Sequence, residues 1–325
     1  MKSIVAIAYA LLASVLFVIS GPAGAQQNYP SRPLRLISPY APGGGNDTMA
    51  RLIAQALTES LGQQVIVDNR PGANTMIGTD IVAKSRPDGH TFLFSGISTF
   101  LINALLLKTP YDSMKDFAPI APLAVAEMIL VSNPSLPATN LRELIALAKA
   151  KPGELNYATS SAGGAGHLVG ELFKMMAGIN IQHIPYKGTS QALSEVMGGQ
   201  IELSLQSAVS TVPHVRSGKL RGIAVSGDKR YRALPQVPTF AEAGLPGLQG
   251  RVIYGILGPA HIPAEIVGKL SGDIARIQRT PAFQEKLFNQ GVEPFILSPD
   301  QFGALMRSEL ATFDKVIKTA HIKLK

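Results

Sequence analysis

Short apolar runs alternate with helix-spaced segments along most of this chain, and glycine-rich turns join one to the next. Leu34-Arg35-Leu36-Ile37-Ser38 reads as a strand, and Met49, Leu52, Ile53, Ala56, Leu57 and Leu61 then fall at helical spacing. Gly62 ends that helix, and Val65-Ile66-Val67 is the next strand. A helix near Met76–Lys84 leads to the strand Thr91-Phe92-Leu93-Phe94. A βαβα rhythm of this kind restricts the fold to a mostly parallel sheet covered by helices.

A second set follows Glu127. Helices are expected at Leu141–Ala150, His167–Ala177, Thr189–Met197 and Val209–Arg216. Strands are expected at Leu155–Ala158, Ile181–Ile184, Ile201–Leu205 and Leu220–Val225. The final third opens with a wrapping segment rich in proline and glycine (Pro235, Pro238, Pro246). It continues with a strand at Val252–Leu257 and helices at Ala264–Arg279, Ala282–Asn289 and Pro299–Thr319. Ser298 as N-cap, Pro299 at the first helical position and Gln301 form a capping box for the last helix, whose buried stripe is Phe302, Leu305, Met306, Phe313, Val316 and Ile317. Two α/β lobes result: 26–125 plus 230–325, and 126–229, with the last segment returning to the first lobe.

Two strand-to-helix turns carry the chemistry. In Pro42-Gly43-Gly44-Gly45-Asn46-Asp47, glycines let the backbone approach a ligand and turn its N–H groups inward, while the following helix N-terminus adds partial positive charge. Asp47 is expected to be the N-cap, and to hold an ordered water that bridges to a ligand. Thr159-Ser160-Ser161-Ala162-Gly163-Gly164-Ala165-Gly166-His167 repeats the parts of the first turn: small residues, hydroxyls and a helix start. If each turn tops its own lobe, both face one cleft at the carboxyl ends of the strands, where open α/β sheets bind ligands. Ser95, Ser98, Thr99 and Gln206 follow strands aimed at that cleft and are assigned to the variable end of the ligand.

Met1-Lys2, the apolar run Ile4–Ile19 and Ala23-Gly24-Ala25 form an export signal, with cleavage expected after Ala25. The 325 residues contain no cysteine, which removes disulfides, thiol catalysis and thiolate metal sites. A formal net charge of +8 comes from scattered Lys and Arg, a solvated surface and not a nucleic-acid footprint. The six histidines show no metal-ligand spacing. No nucleophile elbow, P-loop or zinc-protease motif is present, and Gly164, Gly166 and Gly170 miss the dinucleotide fingerprint.

The order and spacing of several short motifs are specific. They are Tyr29-Pro30-Ser31-Arg32-Pro33, the Pro42–Asp47 turn with Ala50-Arg51, Asp68-Asn69-Arg70-Pro71-Gly72-Ala73 and Asp88-Gly89-His90-Thr91. Asp116-Phe117-Ala118-Pro119, His167-Leu168, Pro185-Tyr186-Lys187-Gly188 and Leu234-Pro235 through Gly244 follow. In these the chain resembles the substrate-binding proteins of tripartite tricarboxylate transporters, the Bug receptor family. The resemblance implies a periplasmic binding protein of type II, a Venus flytrap whose two lobes, each a mostly parallel sheet flanked by helices, close on an organic acid.

By that resemblance Gly43, Gly44 and Asp47, then Thr159, Ser160, Gly163, Gly164 and His167, hold a ligand carboxylate through backbone N–H groups, hydroxyls and bridging waters; Tyr40 and Pro42 join the ligand-binding set. The chain departs from the family with Ser161 in place of a frequent glycine, and with Gly164 and Gly166 where Thr and Ser are favoured. It also has Gln206 at a frequently acidic position and Ile253 at a frequent tryptophan. The first changes touch the cradle, and the last two are expected to reshape the distal pocket. The expected protein is a monomer without cofactor, metal or catalytic residue, delivering a small organic acid to a membrane permease. Two alternatives stay open: an input protein for a membrane sensor kinase, and an exported hydrolase using Ser160 or Ser161 with His167.

Overall fold

The computed structural model describes residues 29–248 and 250–319. The export signal and its cleavage position lie outside them. Met1–Ser31 is one unit, described only from Tyr29, and Arg32–Lys325 is another; the architecture below is that of the second.

Three strands open the sheet in parallel: β1 (Leu34–Ser38) lies between β2 (Val65–Asn69) and β3 (Thr91–Gly96). Their connections are α1 (Gly45–Leu61) and α2 (Met76–Ala83). Helix α3 (Ile97–Leu106) follows β3 directly and was not expected from the sequence. It is apolar almost all round, with Ile97, Phe100, Leu101 and Ile102 all buried. A helix buried on every side has no polar face, so the 3.6-residue stripe is absent.

The long strand β4 (Phe117–Ser132) was also not expected. Pro119 and Pro122 interrupt its pattern, and register shifts occur at both, as proline within a ladder requires. β4 joins the two halves of the structure. Phe117–Glu127 pairs antiparallel with β9 (Arg251–Pro259), which in turn pairs with β3. From Met128 to Ser132 the same strand pairs instead with β7 (Leu203–Ser207) and β8 (Arg221–Val225). Beyond β7 lie β5 (Asn156–Thr159) and β6 (Gln182–Pro185), both parallel. The order is β2-β1-β3-β9-β4-β7-β5-β6.

Helices α4 (Leu141–Ala150), α5 (Ala165–Ala177), α6 (Thr189–Met197) and α7 (Ala208–Arg216) serve the second half. The chain ends with α8 (Ala264–Arg279), α9 (Pro281–Asn289), the short β10 (Glu293–Pro294) on β4, and α10 (Pro299–Thr319). The capping box is formed: Gln301 N–H donates to Ser298 Oγ at 3.2 Å, and Ser298 N–H to Gln301 Oε1 at 3.0 Å. Phe302 and Met306 of α10 enter a core with Ile37, Leu93, Phe100, Ile253 and Leu257. In it the Phe117 ring stands edge-on to Phe100 and Tyr111, centroids 5.1 and 5.6 Å away. This core holds β1, β3, β4 and β9 as one platform. The site is built at the strand ends of that platform and of its counterpart.

Candidate functional site

The two glycine turns are built alike, residue for residue. Gly43 and Gly163 have φ of +81° and +73°, a region open to glycine at no steric penalty. The next residues, Gly44 and Gly164, are extended N-caps, and the helices start at Gly45 and Ala165. Four residues after each left-handed glycine, a side chain reaches back to its N–H. Gly43 N–H donates to Asp47 Oδ2 at 2.9 Å, and Gly163 N–H to His167 Nδ1 at 3.0 Å.

Asp47 is therefore not the N-cap: it lies inside the first turn and folds back over it. Its oxygens are taken by Gly43 N–H, Arg51 Nε (3.0 Å) and Asn69 Nδ2 (3.0 Å). Burial opposes its ionisation, but these hydrogen bonds and the Arg51 charge prevail and hold its carboxyl below the usual range. It anchors the turn.

His167 has the same role in the second turn. Since Nδ1 accepts from Gly163, the ring proton sits on Nε2, 3.7 Å from Glu171 Oε1. The ring stacks on His183 with centroids 3.9 Å apart. Thr159 Oγ1 donates to Ser161 O (2.9 Å), so it accepts from His183 Nε2 at 2.6 Å. Burial lowers the pKa of both histidines; for His183, burial with the nearby His167 and Lys174 lowers it to about 3. Among the described residues neither Ser160 nor Ser161 hydrogen-bonds a His167 nitrogen, so the arrangement forms no nucleophile–base pair.

Between the turns lies a small cleft. The starts of five helices line it: Gly44 and Asn46 of α1, Gly96 and Thr99 of α3, Ala165 and Gly166 of α5, Thr189 of α6 and Ser207 of α7. Each helix start carries roughly half a positive charge and N–H groups without helical partners. Tyr40, Ala41, Met128, Ser160, Gln206, Val252 and Tyr254 complete the wall, and none of the described lining residues is charged. The cleft is electropositive without a basic side chain. Burial raises the pKa of Tyr40 and Tyr254, so both phenols stay neutral. Tyr254 Oη lies 2.8 Å from Ser207 Oγ, and Ala165 N–H donates to Thr99 Oγ1 at 3.3 Å, tying the two halves across the opening.

Of the residues singled out in the sequence, Tyr40, Gly44, Thr99, Ser160 and Gln206 line this cleft. Pro42 and Gly43, just before Gly44 in the chain, are exposed. Gly163, Gly164, Thr159, Asp47 and His167 form the supporting layer. Ser98 Oγ donates to Arg251 O at 3.0 Å, and the Ser95 hydroxyl is buried within β3. Asn46 and Gly166 were named only as members of the two turns, and Gly96, Thr189, Ser207 and Tyr254 were not foreseen. All but Tyr254 are at helix starts that follow strands, a signal open to a reader who treats every such junction as part of one ring.

The family model for the tripartite tricarboxylate transporter family receptor matches residues 49–322. The chain belongs to that family. The receptor is 37% identical to protein BugT of Bordetella pertussis (strain Tohama I) over 309 residues, 94% of each chain. It superposes on R. palustris Rpa4515 with adipate at a TM-score of 0.88, with 36% identity over 91% of this chain and 99% of that one. MatC (Rpa3494) from Rhodopseudomonas palustris with bound malate gives 0.83, with 29% identity over 89% and 100%. The fold is thus the two-lobed type II fold of periplasmic binding proteins, and family and fold are those of receptors.

A Cβ on Gly164 would stand 2.5 Å from Ser161 Oγ, so a larger residue at 164 and Ser161 compete for one space. Gly166 is required by close packing, since a Cβ there would lie 2.5 Å from Leu205 O. Ile253 does not shape the cleft: strand alternation turns it into the core while Val252 and Tyr254 line the opening.

Proposed function

We propose that this receptor captures a small organic carboxylate between two lobes, 26–125 plus 230–325 and 126–229, and delivers it to the membrane permease of a tripartite transporter. The observation that carries the reading is the convergence of five helix N-termini on a cleft whose described lining residues are uncharged. Such a site attracts anions through fixed dipoles and orphan N–H groups. Neutral donors also hold a carboxylate less firmly than a buried Arg pair, which suits a carrier that must release its cargo. The adipate and malate in two related structures support the ligand class. The basic start, apolar run and Ala23-Gly24-Ala25 support export to the periplasm with cleavage after Ala25.

A thermal-shift screen of the purified protein against organic acids and their amides tests this. An acid at a hundred times its dissociation constant stabilises by about 2.7 kcal/mol, an upward shift of roughly 5–10 °C for a chain of this size. Shifts by acids that vanish for the corresponding diamides are the expected result. Equal shifts by acids and diamides would overturn the carboxylate assignment.

A further inference from the structure

Two buried side-chain amides at the cleft each have an end with no partner among the described residues. Asn46 is 7% exposed, and its amide nitrogen is fully used: Nδ2 donates to Ser38 Oγ at 2.9 Å and to Phe94 O at 3.1 Å. Reversing the amide would set its oxygen against the Phe94 carbonyl, so Oδ1 is left as an acceptor that nothing serves. Gln206 is 3% exposed; the Thr189 hydroxyl, 3.4 Å away, can donate to its Oε1 or accept from its Nε2, and whichever end faces Thr189, the other end of the amide is unserved. Both residues line the same cleft, Asn46 from α1 and Gln206 from β7.

Buried polar groups in folded proteins are normally paired, and a donor or acceptor left bare is strongly disfavoured. The helix N–H groups already provide for an anion. An ionised carboxylate only accepts hydrogen bonds, so it sets its lone pairs against Asn46 Oδ1. A carboxamide or a hydroxyl both donates and accepts, so it can serve Asn46 Oδ1 and either end of the Gln206 amide.

We propose that the ligand is a carboxylate carrying a second, uncharged group of this kind, and that Asn46 and Gln206 are the pair that reads it. The inference rests on the carboxylate reading above. Sites built to hydrogen-bond a polar group reject analogues that lack it by large factors.

Isothermal titration of the purified protein tests the pair, using four- and five-carbon probes. These are the half-amides succinamate and glutaramate, the hydroxy acid 4-hydroxybutyrate, the diacids succinate and glutarate, the plain acid butyrate, and the diamide succinamide. The half-amides and the hydroxy acid are expected to bind at least about tenfold tighter than the diacid and plain acid of equal length. In Gln206→Met, of similar shape and with folding verified by circular dichroism, that preference falls to less than about threefold. A diacid or plain acid that binds the wild type as tightly as its half-amide overturns the inference and leaves the carboxylate reading standing. A diamide that matches the half-amide overturns the carboxylate reading itself, and no binding by any acid overturns both.

Discussion

Gly45→Ala separates the closing of the clamp from the folding of its lobes. Gly45 is the first residue of α1, and a Cβ there would lie 2.6 Å from Ser210 Oγ and 3.1 Å from Ser207 Oγ, both on the opposite lobe. Within its own lobe the new methyl meets only the Tyr254 hydroxyl, and alanine is favoured over glycine in helices by up to about 1 kcal/mol. The Ser210 hydroxyl can swing aside, but Ser207 is bonded to Tyr254, whose own hydroxyl would be 3.0 Å from the new methyl. Tyr254 is in turn stacked on Phe94. An extra methyl in packing of this kind costs about 1–3 kcal/mol. That penalty falls on the closed form, so carboxylate affinity should drop by about 5- to 150-fold. Isothermal titration with the best acid of the panel measures the loss, and the melting temperature of the ligand-free protein should stay level or rise. Unchanged affinity would refute the closure argument. An affinity loss matched by a fall in ligand-free stability would show that the methyl damages the lobe instead.

Asp47→Ala and His167→Ala should each destabilise by about 1–2 kcal/mol in urea titrations, because each leaves the N–H of a left-handed glycine without its acceptor. Both should also weaken acid binding, and Asp47→Asn, which keeps an acceptor, should do less harm. Acid should unfold the protein through its buried histidines. The folded pKa of His183, about 3, lies below its ordinary 6.5, so the unfolded chain binds the proton first. The contribution is complete above pH 6.5 and is lost as pH falls from 6.5 toward 3, with a slope of up to about 1.4 kcal/mol per pH unit. Urea midpoints at pH 7, 5 and 4 should show that decline, and His183→Gln should flatten it; an equally steep decline in the variant would contradict the assignment.

The regular elements were largely legible because their signals are local. Leu34–Ser38, the helix ending before Gly62 and the Ser298–Gln301 box each declare themselves within a few residues. Helix α3 and strand β4 did not, since burial on every side erases one pattern and two prolines erase the other. At the site, the glycine turns were readable, but the seating of their side chains was not. Asp47 was expected to be the N-cap, whereas Gly44 holds that place, and both Asp47 and His167 turn back to brace Gly43 and Gly163. Which way a short polar side chain folds within a first helical turn depends on neighbours such as Asn69 and His183, brought from other strands.

The sequence by itself determined where most of the helices lie, where glycine permits a left-handed turn, and that the polar turns follow strands. Those are choices of φ and ψ made within a few residues of chain. Only the tertiary structure decided that five helix starts share one cleft. The passage of β4 from β9 at Glu127 to β7 at Met128 sets the two halves against each other, and a strand's own period names its two faces without naming its partner. For the same reason Asn46 and Gln206 line one cleft only in the folded chain.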